Sequence, residues 1–119
     1  MASNAKASGP VARVAVNEVV LVGRLAAEAV ERALPSGDVI WTWRLIIERP
    51  EQKRTQRNVV DTIDCATYLR SVGRRLARWS AGDVIEVNGS IRRRFFKSAG
   101  APTSRYEVEC ARATRVLGA

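Results

Sequence analysis

The sequence predicts an all-β domain of five strands with one helix between the third and the fourth. Three observations lead there. Most of the chain beyond residue 15 falls into runs rich in valine, isoleucine and aromatic residues, where apolar and polar positions alternate as they do along half-buried strands. Only residues 69–79 carry apolar side chains at helical spacing, with Leu69, Val72, Leu76 and Trp79 on one stripe. Short segments of glycine, proline and serine separate the runs. At 119 residues, 46% apolar and 27% charged, the chain is the size of one domain and can bury a core.

Residues 1–15 are small, polar and aperiodic, and read as a flexible N-terminal tail ahead of a domain over 16–119. Residues 16–25 (VNEVVLVGRL) read as a strand, with Gly23 a bulge or bend. A short strand near 30–34 follows, then a turn at Pro35-Ser36-Gly37. Residues 39–47 (VIWTWRLII) place Val39, Trp41, Trp43, Leu45 and Ile47 on one face, and Ile40, Thr42, Arg44 and Ile46 on the other. A basic loop over 49–58 carries Arg49, Lys53, Arg54 and Arg57 against Glu51 alone. The next strand is 59–68. The helix puts Arg70, Arg74 and Arg78 on a second face, and Gly82 is its expected cap. Residues 84–96 form a long strand with Gly89 in its middle, 97–104 a loop and 105–116 the last strand. Counted without the short piece, the order is strand, strand, strand, helix, strand, strand. That is the order of a five-stranded OB-fold barrel.

Charge points to the partner. Twenty Lys+Arg against 12 Asp+Glu give +8, with a sequence pI near 10.7, which suits a polyanion. Arginine supplies 17 of those cations, and its planar fork both grips phosphate oxygens in pairs and stacks on bases. A GC-rich genome also enriches arginine, so distribution has to decide. Cys65 and Cys110, without any histidine, are too few ligands for zinc and read as reduced thiols. No metal or cofactor is expected. Asp61 and Asp64 are three apart, hence on opposite faces of a strand, and cannot jointly hold Mg²⁺, so no enzyme is expected. The N-terminus lacks an apolar signal core, and a cytoplasmic, nucleoid-associated protein is the expectation.

Five segments narrow the class. Residues 16–25 fit the pattern VNxVxLxGxL, and Pro35-Ser36-Gly37 fits a P-x-G turn. Residues 81–89 (AGDVIEVNG) resemble KGxxVxVEG; residues 91–96 (IRRRFF) lie on LRTRxW, and Arg105-Tyr106 on an RY pair. In this order and spacing, across roughly 16–117, the chain resembles the bacterial single-stranded DNA-binding protein family. The resemblance implies an OB barrel, a homo-oligomer with a tetramer favoured over a dimer, and a bound single strand running over the barrel faces. Of the family's stacking positions, one falls on Phe96 and one on Tyr68. A third falls on Thr62, which cannot stack, and a fourth on or near Glu51. The family histidine and arginine after the third become Ile63 and Asp64. The sequence closes on VLGA over 116–119, so the resemblance is to a short paralogue lacking the acidic C-terminal tip, or to the related primosomal replication protein.

Alternation on the long strand puts Asn88, Ser90, Arg92, Arg94 and Phe96 on one face, which suits a nucleic-acid groove. Arg92, Arg94 and Phe96 of this face, with Arg24, Thr42, Arg44, Arg49, Lys53, Arg54, Arg57, Thr62, Tyr68 and Arg105, are the expected DNA-binding residues. If four to six of the groove cations meet phosphates, log K should fall against log salt with a slope of roughly −3 to −4. Arg70, Arg74 and Arg78 read as a solvated helix face, with a second nucleic-acid surface as the alternative. Trp43 and Trp79 are expected to pack inside. For Trp41 three roles stay open: core, subunit contact or base platform. The expected function is sequence-tolerant single-stranded DNA binding in replication, repair or recombination. A primosomal-type module whose main partner is another replication protein is the alternative, and an RNA-binding OB domain the third.

Overall fold

The computed structural model describes residues 14–50 and 59–116. Residues 1–13 of the tail expected over 1–15, and the basic-loop residues Glu51, Lys53, Arg54 and Arg57, lie outside them. The elements are β1 (Val19–Leu25), β2 (Val30–Ala33), β3 (Val39–Glu48), β4 (Val60–Thr67), α1 (Arg70–Leu76), β5 (Val84–Ser98) and β6 (Ala101–Arg115). The sheet runs β1-β5-β6-β4-β3-β2, and β1 also pairs with β3 through Arg24↔Ile46 and Leu25↔Leu45. That pairing closes five strands into the expected barrel and leaves β2 outside it, hydrogen-bonded to β3 alone among the described residues. The helix sits between the third and fourth barrel strands, as the sequence predicts.

Alternation fills the barrel. Trp41, Trp43 and Leu45 of β3 point inward with Cys65, Ile85, Val87, Val108, Cys110 and Ala113. Trp41 is therefore core, and its ring lies beneath Gly73 of α1: a Cβ on Gly73 would stand 2.1 Å from Trp41 Cδ2. At seven residues α1 is too short to hold itself in water. Val72, Leu76 and Trp79, all buried, hold it against the barrel, each contributing about 1.5–3 kcal/mol on burial. Both thiols are free, and burial pushes them up, Cys65 to about 12 and Cys110 to about 11.

Several boundaries differ from expectation. The helix stops at Leu76, because Arg78 and Trp79 turn back onto Arg75 and Leu76 carbonyls. Leu69 lies ahead of α1 and is half exposed, and Gly82 is not the helix cap but part of the turn into β5, where its N–H donates to the Leu25 carbonyl at 2.9 Å. Of the bulge or bend expected at Gly23 the bulge is absent: β1 keeps register with β5 through it, and from the next residue also pairs with β3. The loop expected over 97–104 is two residues long. Ala99 (φ 54°) and Gly100 (φ 82°) make the turn, both in the left-handed region that a tight hairpin needs. Strands β5 and β6 therefore pair to their ends, from Ser98↔Ala101 back to Ile85↔Arg115.

Candidate nucleic-acid interface

The β5–β6 hairpin carries the predicted face. One irregularity sets what that face contains. Asn88 pairs with Arg112 but Gly89 pairs with Cys110, so Ala111 is an extra residue on β6. Without it, Arg92 and Arg94 would stand opposite Val108 and Tyr106. With it, they stand opposite Glu107 and Arg105. The bulge turns Val108 and Cys110 into the core and brings Glu107 and Glu109 onto the arginine face.

The consequence is electrostatic. Arg92 meets Glu109 at 3.3 Å, and Arg94 meets Glu107 at 2.6 Å and Glu109 at 3.2 Å. Glu107 is only 6% exposed, and its hydrogen bond holds the Arg94 guanidinium proton more firmly than usual. Two rings flank these pairs. Arg94 lies 5.4 Å from the Tyr68 ring centre, and Arg105, cross-strand partner of Arg94, lies 5.5 Å from that of Phe96. Tyr68–Arg94 and Arg105–Phe96 are thus two ring–guanidinium pairs, joined where Arg94 and Arg105 stand opposite each other across the strands. Both rings are exposed, Phe96 at 43% and Tyr68 at 39%.

Strands β3 and β4 supply the adjoining wall. Arg44 donates to Asp64 at 3.0 Å, Arg24 to Glu48 at 2.9 Å and Arg49 to Asp61 at 2.9 Å. The Arg49 hydrogen bond holds the Asp61 carboxyl below the usual carboxylate range. A cleft of about 420 Å³ joins the two regions: Thr42, Arg44 and Asp64 line it from one side, Arg105 and Glu107 from the other. Trp43 borders the same cleft, and its Nε1 finds no hydrogen-bond partner among the described residues. Arg24, Arg49 and Thr62 are not in this assembly. Thr62 is exposed opposite Ile46, and Arg24 pairs with Glu48, which lies about 20 Å along β3 from Thr42.

Sequence reasoning missed the carboxylates. Arg105, Glu107 and Glu109 alternate visibly, but only the Ala111 bulge decides that they share a face with Arg92 and Arg94. It also missed the reverse side of the hairpin, where Arg93 lies 5.2 Å from the Phe95 ring and 5.4 Å from that of Tyr106.

The chain is similar to known proteins over most of its length. It is 30% identical over 84 residues to a single-stranded DNA-binding protein 1 of Streptococcus agalactiae, covering 70% of this chain and 51% of that one. It is 32% identical over 84 residues to a single-stranded DNA-binding protein of Streptococcus pyogenes, with the same coverage. It thus spans about half the length of the curated relatives it matches. Its fold is shared with the solved Plasmodium falciparum SSB complex with ssDNA, at a TM-score of 0.70 and 18% identity over 89% of this chain and 97% of that one. The model of the single-strand binding protein family matches residues 16–116, from the opening strand to the last residue the structure describes, and the chain belongs to that family.

Proposed function

We propose that the chain binds single-stranded DNA without sequence preference, in replication, repair or recombination, as a nucleoid-associated protein of the cytoplasm. The joined pairs Tyr68–Arg94 and Arg105–Phe96 carry the reading. Bases stack on exposed rings at about 1–3 kcal/mol each, and every base has a face to offer. Arg44, Arg92 and Arg105 flank the rings for phosphates, with Arg24, Arg49, Lys53, Arg54, Arg57, Thr42 and Thr62 as further contacts of the same reading. A phosphate approaching Arg92 also meets Glu109, so this arginine must exchange carboxylate for phosphate, while Arg94 stays on the buried Glu107. The rings therefore carry more of the affinity than a count of cations implies, and the salt slope should be shallower than roughly −3. Binding, not catalysis, fits the aspartates: Asp61 is paired with Arg49 and Asp64 with Arg44. Homo-oligomerisation, a tetramer before a dimer, is part of the reading; Val20 (63% exposed) and Val22 (48%) offer an apolar stripe on the outer side of β1.

Anisotropy of labelled oligo-dT tests it, beside duplex and RNA of equal length. The label matters, since Trp41, Trp43 and Trp79 are buried and will not report stacking. Phe96→Ala and Tyr68→Ala should each weaken oligo-dT binding about fivefold or more, with an unchanged melt. Wild-type affinity in both variants overturns the assignment. Light scattering that shows a monomer at micromolar concentration overturns the oligomer.

A further inference from the structure

The arginines around α1 differ from those of the groove. Arg70, Arg74 and Arg75 lie on α1, Arg78 in the turn behind it, and Arg112 and Arg115 on β6. Asp83, 3.9 Å from Arg115, is the one described carboxylate within ion-pair distance of any of the six. Two adjoining clefts open between α1 and β6. Arg74, Arg75, Arg78 and Arg115 line the first, Arg75 and Arg112 the second, and Ser71 and Thr114 line both. Their polar lining is guanidinium and hydroxyl, with the small Ala111 and Ala113 and the buried Val72 beside it in the second cleft. Trp79 borders the first cleft but is 8% exposed, so no ring is offered to a base. Arg70, Arg74 and Arg78 recur every four residues, a step of about 6 Å. The series starts two residues after Tyr68, one of the two groove rings.

We propose that this flank is a second nucleic-acid surface, one that holds phosphates and no bases. It takes the part of a single strand that runs on past Tyr68, and so rests on the function proposed above. Arginine forks with serine and threonine hydroxyls are the donors phosphate oxygens take. An acidic peptide would instead seek a large apolar anchor beside the charge, and these clefts expose none. Contact with phosphates alone makes the flank blind to base composition.

The test is a salt titration of the full chain and of the triple variant Arg74→Gln, Arg78→Gln, Arg112→Gln. The probes are labelled oligo-dT of about 10 nucleotides, within the reach of one barrel, and of about 40. The short probe should bind both proteins within twofold. On the long probe the variant's slope of log K against log salt should flatten by about 2, for three lost contacts at ~0.7 each. Oligo-dA should show the same change. The lysine version, Arg74→Lys, Arg78→Lys, Arg112→Lys, keeps the charges and should keep the slope. Equal slopes for wild type and the glutamine variant on the long probe overturn the proposal. So does a variant that keeps long DNA but loses poly-glutamate, which would assign the flank to an acidic protein. Failure of the wild type to bind the short probe is a different result: it removes the groove reading, and this proposal with it.

Discussion

The groove face and the α1 flank hold similar numbers of arginines in opposite electrostatic settings. On the groove side, Arg44, Arg92 and Arg94, and Arg24 and Arg49 farther along the same sheet, each meet a carboxylate between 2.6 and 3.3 Å. On the flank, Arg70, Arg74, Arg75, Arg78 and Arg112 meet none among the described residues. Among the described residues the groove is near neutral and carries rings; the flank is strongly positive and carries none. Net charge alone thus says little about where a polyanion settles. Exposed pairs are worth about 0–1 kcal/mol, so most groove arginines can change partner at little cost. The contrast predicts a division of labour, with the groove holding bases and the flank holding backbone.

The largest expected effect separates the one groove pair that is not exchangeable. Glu107 is 6% exposed, and Arg94 is its partner at 2.6 Å. Arg94→Ala leaves a buried carboxylate unpaired and should cost about 3–5 kcal/mol of stability. Arg92→Ala, whose partner Glu109 is one-third exposed, and Arg78→Ala on the flank should each stay within about 1 kcal/mol. Urea unfolding of the three variants checks the order. Equal losses would mean that Glu107 finds another partner, and the two faces would then differ less than their geometry implies. A double Arg92/Arg94 variant is correspondingly a poor probe of DNA contact, since part of any loss is unfolding.

A smaller effect comes from what seats the flank. Gly73 of α1 lies on the Trp41 ring, and an added Cβ would stand 2.1 Å from Cδ2. Gly73→Ala gains roughly 1 kcal/mol of helix propensity, yet overpacking a buried contact costs typically 1–3 kcal/mol. The clash should win, so a net loss of up to about 2 kcal/mol is expected, with α1 displaced. Long-probe binding should then fall while short-probe binding holds. A more stable variant with unchanged long-probe binding would show that α1 does not need this seat.

The barrel itself was legible in the sequence. Alternation in VIWTWRLII assigned Trp43 and Leu45 to the core, and the single helical stripe placed α1. The hairpin tip was not, because Gly, Pro and Ser over 97–104 resemble a loop, and only the positive φ of Ala99 and Gly100 shows a two-residue turn inside continuous strands. Role and position separated at the site. Tyr68, Phe96 and Arg105 could be named from the family resemblance, but Glu107 and Glu109 acquire their meaning from cross-strand register. One inserted residue, Ala111, fixes that register, and no periodicity in β6 announces it. Gly73 beneath Trp41 is hidden for the same reason, since it joins elements about thirty residues apart.

The smallest effect sharpens the comparison most directly. Glu109 holds Arg92 at 3.3 Å and one arm of Arg94 at 3.2 Å, and is one-third exposed. Glu109→Gln removes that negative charge while Glu107 keeps Arg94 in place. The fold should change by less than about 1 kcal/mol. Arg92 becomes free, as the flank arginines already are. Short-probe binding should tighten at low salt, and its slope should steepen by about 0.7, the value for one added phosphate contact on a single strand. The gain should shrink toward high salt, where neutralised phosphates count for less. Because phosphate carries no sequence, oligo-dT and oligo-dA should respond alike. A short-probe slope that stays put would mean Arg92 lies off the path of the strand, and the groove would then reduce to its two rings and Arg105.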